Sequence, residues 1–221
     1  MKAMILAAGR GERMRPLTDH TPKPLLSVGG KPLIVWHLER LSNSGFKQIV
    51  INHAHLGAQI EQALGDGSAW DLKIQYSAES CALETAGGIA NALHLLGGEP
   101  FLVVNGDVFT EIDFNHLKLE SPYLANLVMV DNPPQHPNGD FAIQSGKLNE
   151  DADKKLTFSG VGVYHPQLFV GVERGQPAKL APLLKTAMAK GLIHGEHYKG
   201  VWHDIGTPDR LRQLDVSIGG M

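Results

Sequence analysis

Residues 1–26 contain glycines and cations in an order that suits the binding of a polyphosphate. An apolar run over residues 3–8 ends in Gly9 and Gly11, and Arg15 and Lys23 follow, each beside a proline. Glycine allows backbone N–H groups to approach an anion closely, and the cations neutralise the charge of that anion. We therefore predict a buried strand that leads into a phosphate-binding loop. The predicted loop consists of Ala7, Ala8, Gly9, Arg10 and Gly11.

This loop differs from two common phosphate-binding motifs. It lacks the third glycine of the Rossmann fingerprint, and it lacks the Gly-Lys-Ser/Thr sequence of a P-loop. A Gly-x-Gly sequence alone is weak evidence for ligand binding, because it is also typical of turns after strands that bind no ligand. The missing glycine and the proline-flanked cations disfavour a dinucleotide-dependent dehydrogenase.

Two aspartates follow apolar segments and are candidate metal ligands. Asp107 follows the apolar run 100–105 after one glycine, and Asp204 ends the apolar and aromatic segment 198–204. Two carboxylates from distant strands could share one Mg²⁺, with phosphate oxygens and water as the other ligands. Taken alone, each aspartate could equally be a turn or capping residue.

Strands and helices alternate through the first half of the chain and predict a sheet that positions these residues. Such units form a mostly parallel sheet covered on both faces, and ligands bind beyond the carboxyl ends of its strands. Gly9 and Asp107 should therefore face one crevice. Thr85 is a plausible cap of the third helix. Strands are predicted at 2–8, 48–52, 73–77 and 100–105, and helices at 32–44, 56–64 and 85–96.

The second half is less regular. A loop rich in proline, asparagine and histidine covers 131–139, a helix covers 180–190, and Thr207 is predicted to cap a last helix that begins at Pro208. Short strands are predicted at 125–130, 141–144, 147–148, 154–158, 160–164 and 198–204.

Length and composition indicate one globular domain. The chain has 221 residues, 43% of them hydrophobic and 19% charged, with a net charge of -3. This charge argues against nucleic acid or an anionic membrane surface as a partner. No apolar run approaches the roughly 20 residues of a membrane-spanning helix, and the single cysteine excludes an internal disulfide. We expect a cytoplasmic protein, and a monomer is the expected state.

The order of the N-terminal motifs resembles that of the sugar-1-phosphate nucleotidylyltransferases. Their signature is Leu-Ala-Ala-Gly-x-Gly-x-Arg-hydrophobic-x-Pro-Leu-Thr followed by Pro-Lys-Pro-Leu, and residues 6–25 match it closely. The resemblance extends from residue 2 to about residue 214. It implies an α/β fold with a Rossmann-like mixed, mostly parallel sheet flanked by helices, the nucleotide-diphospho-sugar transferase fold. It implies one domain over 1–221, with 1–120 mainly binding nucleotide, 121–221 mainly binding sugar, and no C-terminal β-helix.

The resemblance also implies a reaction and roles for individual residues. A sugar 1-phosphate would attack the α-phosphorus of a nucleoside triphosphate and release pyrophosphate. Arg15 would bind the β- and γ-phosphates, Lys23 the α-phosphate, and Asp107 and Asp204 would hold Mg²⁺. The catalytic residues implied are Arg15, Lys23 and Asp107.

The remaining site residues implied by the resemblance contact the nucleotide and the sugar. Glu79 would read the base edge, where relatives commonly carry glutamine; because a carboxylate only accepts hydrogen bonds, this departure leaves the identity of the base open. The other nucleotide contacts implied are Thr85, Ala86, Gly87, Gly88 and Asn105. The sugar contacts implied are Asn138, Gly139, Asp140, Ser159, Gly160 and Lys179.

Within the family, the sequence looks most like the bacterial N-acetylmuramate 1-phosphate uridylyltransferases of cell-wall recycling. The features that carry this likeness are the short length, the segment Leu-Glu-Thr-Ala-Gly-Gly at 83–88 and the ending Trp-His-Asp-Ile-Gly-Thr-Pro at 202–208. The implied substrates are UTP and N-acetylmuramate 1-phosphate. The alternatives are a mannose-1-phosphate guanylyltransferase and a non-catalytic sugar-nucleotide sensor. A sensor is disfavoured because the implied cations and carboxylates are all present.

Overall fold

The structure is a computed structural model that describes residues 1–219. The strands are Ala3–Leu6 (β1), Ser27–Val28 (β2), Lys31–Pro32 (β3), Gln48–His53 (β4), Lys73–Ala78 (β5), Phe101–Asn105 (β6), Val108–Thr110 (β7), Ala125–Val130 (β8), Ala142–Gln144 (β9), Lys147–Asn149 (β10), Thr157–Tyr164 (β11), Ile193–His197 (β12) and Trp202–Asp204 (β13). The α-helices are Leu33–Asn43 (α1), Gly57–Leu64 (α2), Glu84–Leu96 (α3), Leu180–Met188 (α4) and Pro208–Gly219 (α5). Among residues 1–219, no helix is long and apolar enough to cross a membrane.

A mixed sheet forms the centre of the fold. Within the described chain it has nine strands in the order β5-β4-β1-β6-β11-β8-β12-β10-β9. The first four strands are parallel, β11 is antiparallel to both β6 and β8, and β12 is parallel to β8. The predicted α/β fold, a mixed and largely parallel sheet flanked by helices, is confirmed.

Helices cover both faces of this sheet because side chains alternate along each strand. Ile5 of β1 packs in one cluster with Leu38 of α1, whereas its neighbour Met4 packs in a second cluster with Ile89 of α3. All four side chains are fully buried. The nearly continuous apolar sequence of β1 is therefore explained by burial on both sides, as expected of a parallel strand.

A two-stranded ribbon joins the end of the chain to the end of β6. β13 pairs antiparallel with β7, which places Asp204 opposite Val108, the residue after Asp107. The strand predicted at 198–204 is shorter than expected, since only Trp202–Asp204 form it. Tyr198 instead donates its backbone N–H to Met129 O as the chain leaves β12. Neither β7 nor β12 was predicted, because both are short and the sequence of β12 is largely polar.

Two local predictions are corrected and one is confirmed. The strands expected at 154–158 and 160–164 are one strand, β11, with a register irregularity where Gly160 has φ +80°. Thr85 does not cap α3, which begins at Glu84 without a side-chain cap. Thr207 precedes α5, and its Oγ1 accepts a bond from Arg210 N at 3.4 Å, as expected of a cap.

The loop before α4 is hydrogen-bonded to the start of α3 through Ala178, and we call this set of bonds the brace. Ala178 O accepts from Ala86 N at 2.9 Å and from Gly87 N at 3.1 Å, and Ala178 N donates to Leu83 O at 3.0 Å. These bonds satisfy N-terminal amides of α3 that have no partner within the helix. Gly87 makes this close approach possible, because a Cβ there would lie 2.4 Å from Gln176 O.

Replacing Gly87 with alanine should destabilise the protein. The methyl group would displace the brace, and overpacking of this kind costs about 1–3 kcal/mol, more than the helix propensity that alanine gains. Gly98→Ala is the matched control, because no atom lies within 4 Å of a Cβ at that position. Urea unfolding should give a lower midpoint for Gly87→Ala than for Gly98→Ala. Equal midpoints would contradict the inferred packing.

Candidate functional site

A cavity of about 480 Å³ lies beyond the carboxyl ends of β1, β4 and β6. Its wall is formed by the glycine-rich loop, the end of β4, the start of α3 and the turn after β6. This is the edge at which parallel α/β sheets bind ligands. The wall contains these residues that the sequence singled out: Ala7, Ala8, Gly9, Gly11, Lys23, Thr85, Asn105 and Asp107.

The glycine-rich loop is folded tightly against the segment that carries Lys23. Gly11 has φ +67°, and Thr18 donates its hydroxyl to Gly11 O at 2.8 Å. A Cβ at Gly11 would lie 3.0 Å from Thr18 Cγ2 and 3.2 Å from Lys23 Cβ. Glycine is therefore required here both for its conformation and for its size.

Lys23 and Asp107 form an ion pair in the cavity wall. Lys23 Nζ donates to Asp107 Oδ2 at 2.7 Å. The Lys23 side chain is only 9% exposed, whereas that of Asp107 is 39% exposed. A buried ammonium group needs a partner, because removing it from water is costly otherwise. The pair fixes a positive charge beside a carboxylate that solvent and ligands can still reach.

Arg13, and not Arg15, reaches the cavity. Arg13 forms part of the wall, and its Nη2 lies 3.3 Å from the position of a Cβ on Gly206. Arg15 instead forms an exposed ion pair with Asp19, with Nε and Oδ1 2.7 Å apart. The sequence does carry a signal for Arg13, because the arginine of the signature quoted above falls at position 13.

Arg10 does not form part of the cavity wall. Its side chain is 56% exposed and lies 4.0 Å from a carboxylate oxygen of Glu12. Of the four lysine and arginine side chains in residues 10–23, the structure brings together those of Arg13 and Lys23 in the cavity wall.

Glu79 is a buried internal partner and does not form part of the cavity wall. Its Oε1 accepts from Asn52 Nδ2 at 2.7 Å, and its Oε2 accepts from Leu83 N at 2.9 Å. Asn52 does line the cavity, and its Oδ1 accepts from Ala7 N at 3.0 Å. Asn52 was missed because an asparagine at a strand end carries no distinctive spacing.

The small residues at the start of α3 are buried beneath the cavity wall. Ala86 is fully buried, and Gly87 adjoins the loop before α4. A Cβ on Gly88 would lie 2.8 Å from both Asn52 Nδ2 and Glu79 Oε1. The absence of side chains at Gly87 and Gly88 leaves space for the loop before α4 and for the hydrogen bond between Asn52 and Glu79. Of the segment 85–88, only Thr85 reaches the cavity wall.

The two candidate metal ligands lie at neighbouring positions but pair with different cations. Ile205 N donates to Asp107 O at 2.9 Å, which joins the two segments directly. The carboxylate of Asp204 pairs with Nη1 of Arg210, whereas that of Asp107 pairs with Lys23. Each of these contacts uses one carboxylate oxygen.

The chemistry of this donor set fits a magnesium ion. Carboxylate oxygens are its preferred protein ligands, and one or two of them suffice when phosphate and water complete the octahedron. Among residues 1–219, no group of three or more His, Cys, Asp or Glu side chains could hold a metal ion. Asp107 lines the cavity described above, whereas Asp204 lines a neighbouring one with Arg210, and both stay predicted ligands of Mg²⁺.

The residues expected to contact a sugar are divided between two regions. A Cβ on Gly160 would lie 2.7 Å from the side-chain nitrogen of Asn105, so Gly160 adjoins the cavity wall. Ser159 O accepts from Trp202 Nε1 at 2.9 Å, which holds β11 against the ribbon. Lys179 directly follows the brace residue Ala178 and precedes α4.

The loop at 138–140 lies outside the cavity wall. Asp140 accepts from Phe158 N at 2.8 Å and lies 3.0 Å from His136 Nε2. Gly139 has φ +60°, and a Cβ there would lie 2.7 Å from Asn132 Oδ1. Asn138, Gly139 and Asp140 therefore form a structured turn that is held to β11.

His37 of α1 lies behind the ribbon and stays uncharged. Burial lowers its pKa to about 4, and neither ring nitrogen has a hydrogen-bond partner among the described residues. The imidazole is therefore neutral near pH 7 and adds no positive charge beside the site.

Comparison with known proteins gives consistent matches over the whole length. The family model described as nucleotidyl transferase matches residues 2–218. A protein of Neisseria meningitidis serogroup B, an N-acetylmuramate alpha-1-phosphate uridylyltransferase, is 56% identical over 228 residues, which cover 99% of each chain. A mannose-1-phosphate guanylyltransferase of Mycobacterium tuberculosis is 29% identical, over 94% of this chain and 61% of that protein.

Solved structures share the fold at lower sequence identity. A Bacillus anthracis protein crystallised with sucrose has a TM-score of 0.85 at 21% identity, covering 100% of this chain and 96% of that one. HddC from Yersinia pseudotuberculosis, solved with GMP-PN, has a TM-score of 0.80 at 20% identity, covering 98% of each chain.

Replacing Glu79 with alanine should lower stability through its buried partners. Asn52 Nδ2 and Leu83 N would each lose an acceptor, and an unsatisfied buried group costs about 1–3 kcal/mol. The exposed Glu99 provides the control, because Glu99→Ala removes a carboxylate with little effect on stability. Urea unfolding measures both variants. Equal stability of the two would exclude a supporting role for Glu79.

Proposed function

This chain belongs to the nucleotidyl transferase family, and we propose that it transfers the uridylyl group of UTP to N-acetylmuramate 1-phosphate. The products are UDP-N-acetylmuramate and pyrophosphate, and the reaction serves the recycling of cell-wall amino sugars. One observation carries the choice of substrates, namely the 56% identity to the Neisseria uridylyltransferase over 99% of both chains.

The geometry supports a direct transfer without a covalent enzyme intermediate. A phosphate oxygen of the sugar 1-phosphate attacks the α-phosphorus in line, and pyrophosphate leaves. The glycine-rich loop offers backbone N–H groups to the phosphates, and Lys23 neutralises the charge that develops at the α-phosphate. We assign the β- and γ-phosphates to Arg13, because Arg13 lines the cavity and Arg15, the residue first expected in this role, does not.

Asp107 and Asp204 would hold the magnesium ion. When bound, Mg²⁺ supplies charge neutralisation and alignment of the reacting phosphates. Lys23 and Arg210 then keep the two carboxylates in place, since each cation already pairs with one of them. This arrangement positions the metal ligands before the substrates arrive.

The nucleoside and the sugar occupy opposite sides of the phosphates in this proposal. Asn52 and Thr85 face the nucleoside, and Glu79 acts behind them as a positioning residue that fixes the Asn52 amide. The sugar is bound by residues of the second half, of which Gly160 adjoins the cavity wall at Asn105. The proposed sugar contacts remain Asn138, Gly139, Asp140, Ser159, Gly160 and Lys179.

We propose that residues 1–221 act as one domain, with 1–120 binding mainly nucleotide and 121–221 mainly sugar. The central sheet supports this proposal, because β6 of the first half pairs directly with β11 of the second. A monomer suffices, since one chain provides every residue assigned above. We place the reaction in the cytoplasm, where UTP is available.

Pyrophosphate release tests the proposed function. UTP and GTP, each with Mg²⁺, are paired with the 1-phosphates of N-acetylmuramate, N-acetylglucosamine, glucose and mannose. We expect strong release with UTP and N-acetylmuramate 1-phosphate. Release with GTP and mannose 1-phosphate would retain the mechanism and overturn the substrates. Binding of UTP without release from any pair would instead identify a sensor.

Arg13→Ala and Arg15→Ala should differ strongly in activity. Arg13→Ala removes a cation from the cavity wall, and we expect kcat/KM to fall by about 100-fold or more, as for other groups that stabilise transition-state charge. Arg15→Ala removes only an exposed ion pair, and we expect less than about a 3-fold change. Steady-state kinetics with UTP measures both. A larger fall in kcat/KM for Arg15→Ala than for Arg13→Ala would assign the catalytic role to Arg15.

Lys23→Ala should lower kcat more than it raises KM. Lys23 acts on charge that develops during the transfer, so its loss affects the transition state more than the bound substrate. Lys47→Ala provides the control, because the Lys47 side chain is 60% exposed and pairs with Asp71 on the surface. Initial rates over a range of UTP concentrations separate the two parameters. A change in KM alone would make Lys23 a binding residue.

A further inference from the structure

Glu84 has a backbone conformation that residues with a side chain rarely adopt. Its φ is +58°, in the left-handed region that favours glycine. Within the described residues, three other non-glycine residues have positive φ, and none of them lines the nucleotide cavity, whereas Glu84 does. The three are Leu56, Asp71 and Ser145.

The surrounding chain holds Glu84 in this conformation. Leu83 O, directly before it, accepts from Ala178 N, and the amides of Ala86 and Gly87, directly after it, donate to Ala178 O. A strained residue persists only where neighbouring contacts fix the backbone in this way. Because Ala178 takes two of the first amides of α3, the end of this helix is not itself the binding feature.

Glycine would fit this position without strain, so the side chain itself requires an explanation. The Glu84 side chain is exposed at the cavity wall and has no hydrogen-bond or ion-pair partner among residues 1–219. It therefore contributes nothing evident to the fold. A free carboxylate at the wall of a binding cavity is instead suited to accept a hydrogen bond from a ligand.

The position of Glu84 in the cavity indicates which part of a bound nucleoside triphosphate its carboxylate would contact. Glu84 begins α3, and Gly88 of this helix adjoins Asn52 at the end of β4. β4 is two strands away from β6, roughly 10 Å at the usual strand spacing, whereas Lys23 and Asp107 lie at the end of β6. A carboxylate repels phosphates unless a cation lies between them, and Glu84, unlike Asp107, has no cation partner among residues 1–219. With the phosphates excluded, the carboxylate of Glu84 would face the nucleoside of the bound triphosphate.

We propose that Glu84 is a specificity-determining residue whose carboxylate accepts a hydrogen bond from the nucleoside of the bound triphosphate. This inference rests on the nucleotide site of the proposed function. Two donors of a uridine nucleoside share this chemistry, the base N3–H and the ribose hydroxyls. Substrate analogues that lack one donor at a time distinguish them.

The test compares Glu84→Gly, Glu84→Gln and the control Ser145→Gly by calorimetric titration with UTP and Mg²⁺. Ser145 has φ +49° and lies exposed in the turn between β9 and β10, so its replacement relieves the same kind of strain away from the cavity. Both glycine variants should keep a melting temperature at or above that of the wild type. Glu84→Gly should weaken UTP binding by roughly 10- to 100-fold, the range for a hydrogen bond to a charged group, and Ser145→Gly should leave it unchanged.

Glu84→Gln retains a neutral acceptor and should give an intermediate loss. Titrations with N3-methyl-UTP, 2′-deoxy-UTP and 3′-deoxy-UTP identify the donor, because the analogue that lacks it should bind wild type and Glu84→Gly equally. UTP affinity of Glu84→Gly equal to that of the wild type would overturn the proposal, as would a loss of affinity accompanied by a lowered melting temperature.

The same titrations with GTP separate this inference from the proposed function. Tighter binding of GTP than of UTP by the wild type would contradict the proposed uridylyl transfer. The effect of Glu84→Gly would then be measured on the binding of GTP. A loss confined to the Glu84 variants supports the inference for either nucleotide, and its absence overturns the inference for both.

Discussion

The ion pair between Lys23 and Asp107 is the constraint on which the site depends. The lysine side chain is nearly buried, so its charge is tolerated only with the carboxylate at 2.7 Å. This requirement ties the segment after the glycine-rich loop to the turn after β6, which lies far away in the sequence. Once these two segments are joined, the glycine-rich loop, the Lys23 side chain and Asp107 all line one cavity.

The sheet extends this arrangement to the second half of the chain. β11 runs antiparallel beside β6, and its bend at Gly160 brings that glycine against Asn105 in the cavity wall. The ribbon of β7 and β13 then places Asp204 next to Asp107. In the proposed function, the nucleotide would bind beside the parallel strands and the sugar beside the antiparallel strands, and the reacting phosphates would lie between them.

The carboxylates around the cavity have different tasks because their surroundings differ. Glu79 is buried and uses both oxygens to hold Asn52 and Leu83, so it shapes the wall from behind. Glu84, five positions later, is exposed and unpaired within the described chain, and the brace at Ala178 holds its backbone. Burial and hydrogen bonding, rather than residue type, separate the supporting carboxylate from the one available to a ligand.

The sequence by itself determined the fold class and the glycine-rich loop after β1, because apolar periodicity and glycine spacing are local properties. Only the tertiary structure decided which side chains reach the cavity. Arg13 and Arg15 lie two positions apart, and the turn between Gly11 and Thr18 directs one inward and the other to Asp19. The roles of Asn52, Glu79 and the short ribbon strands likewise depend on contacts between distant segments, and such contacts leave no local pattern in the sequence.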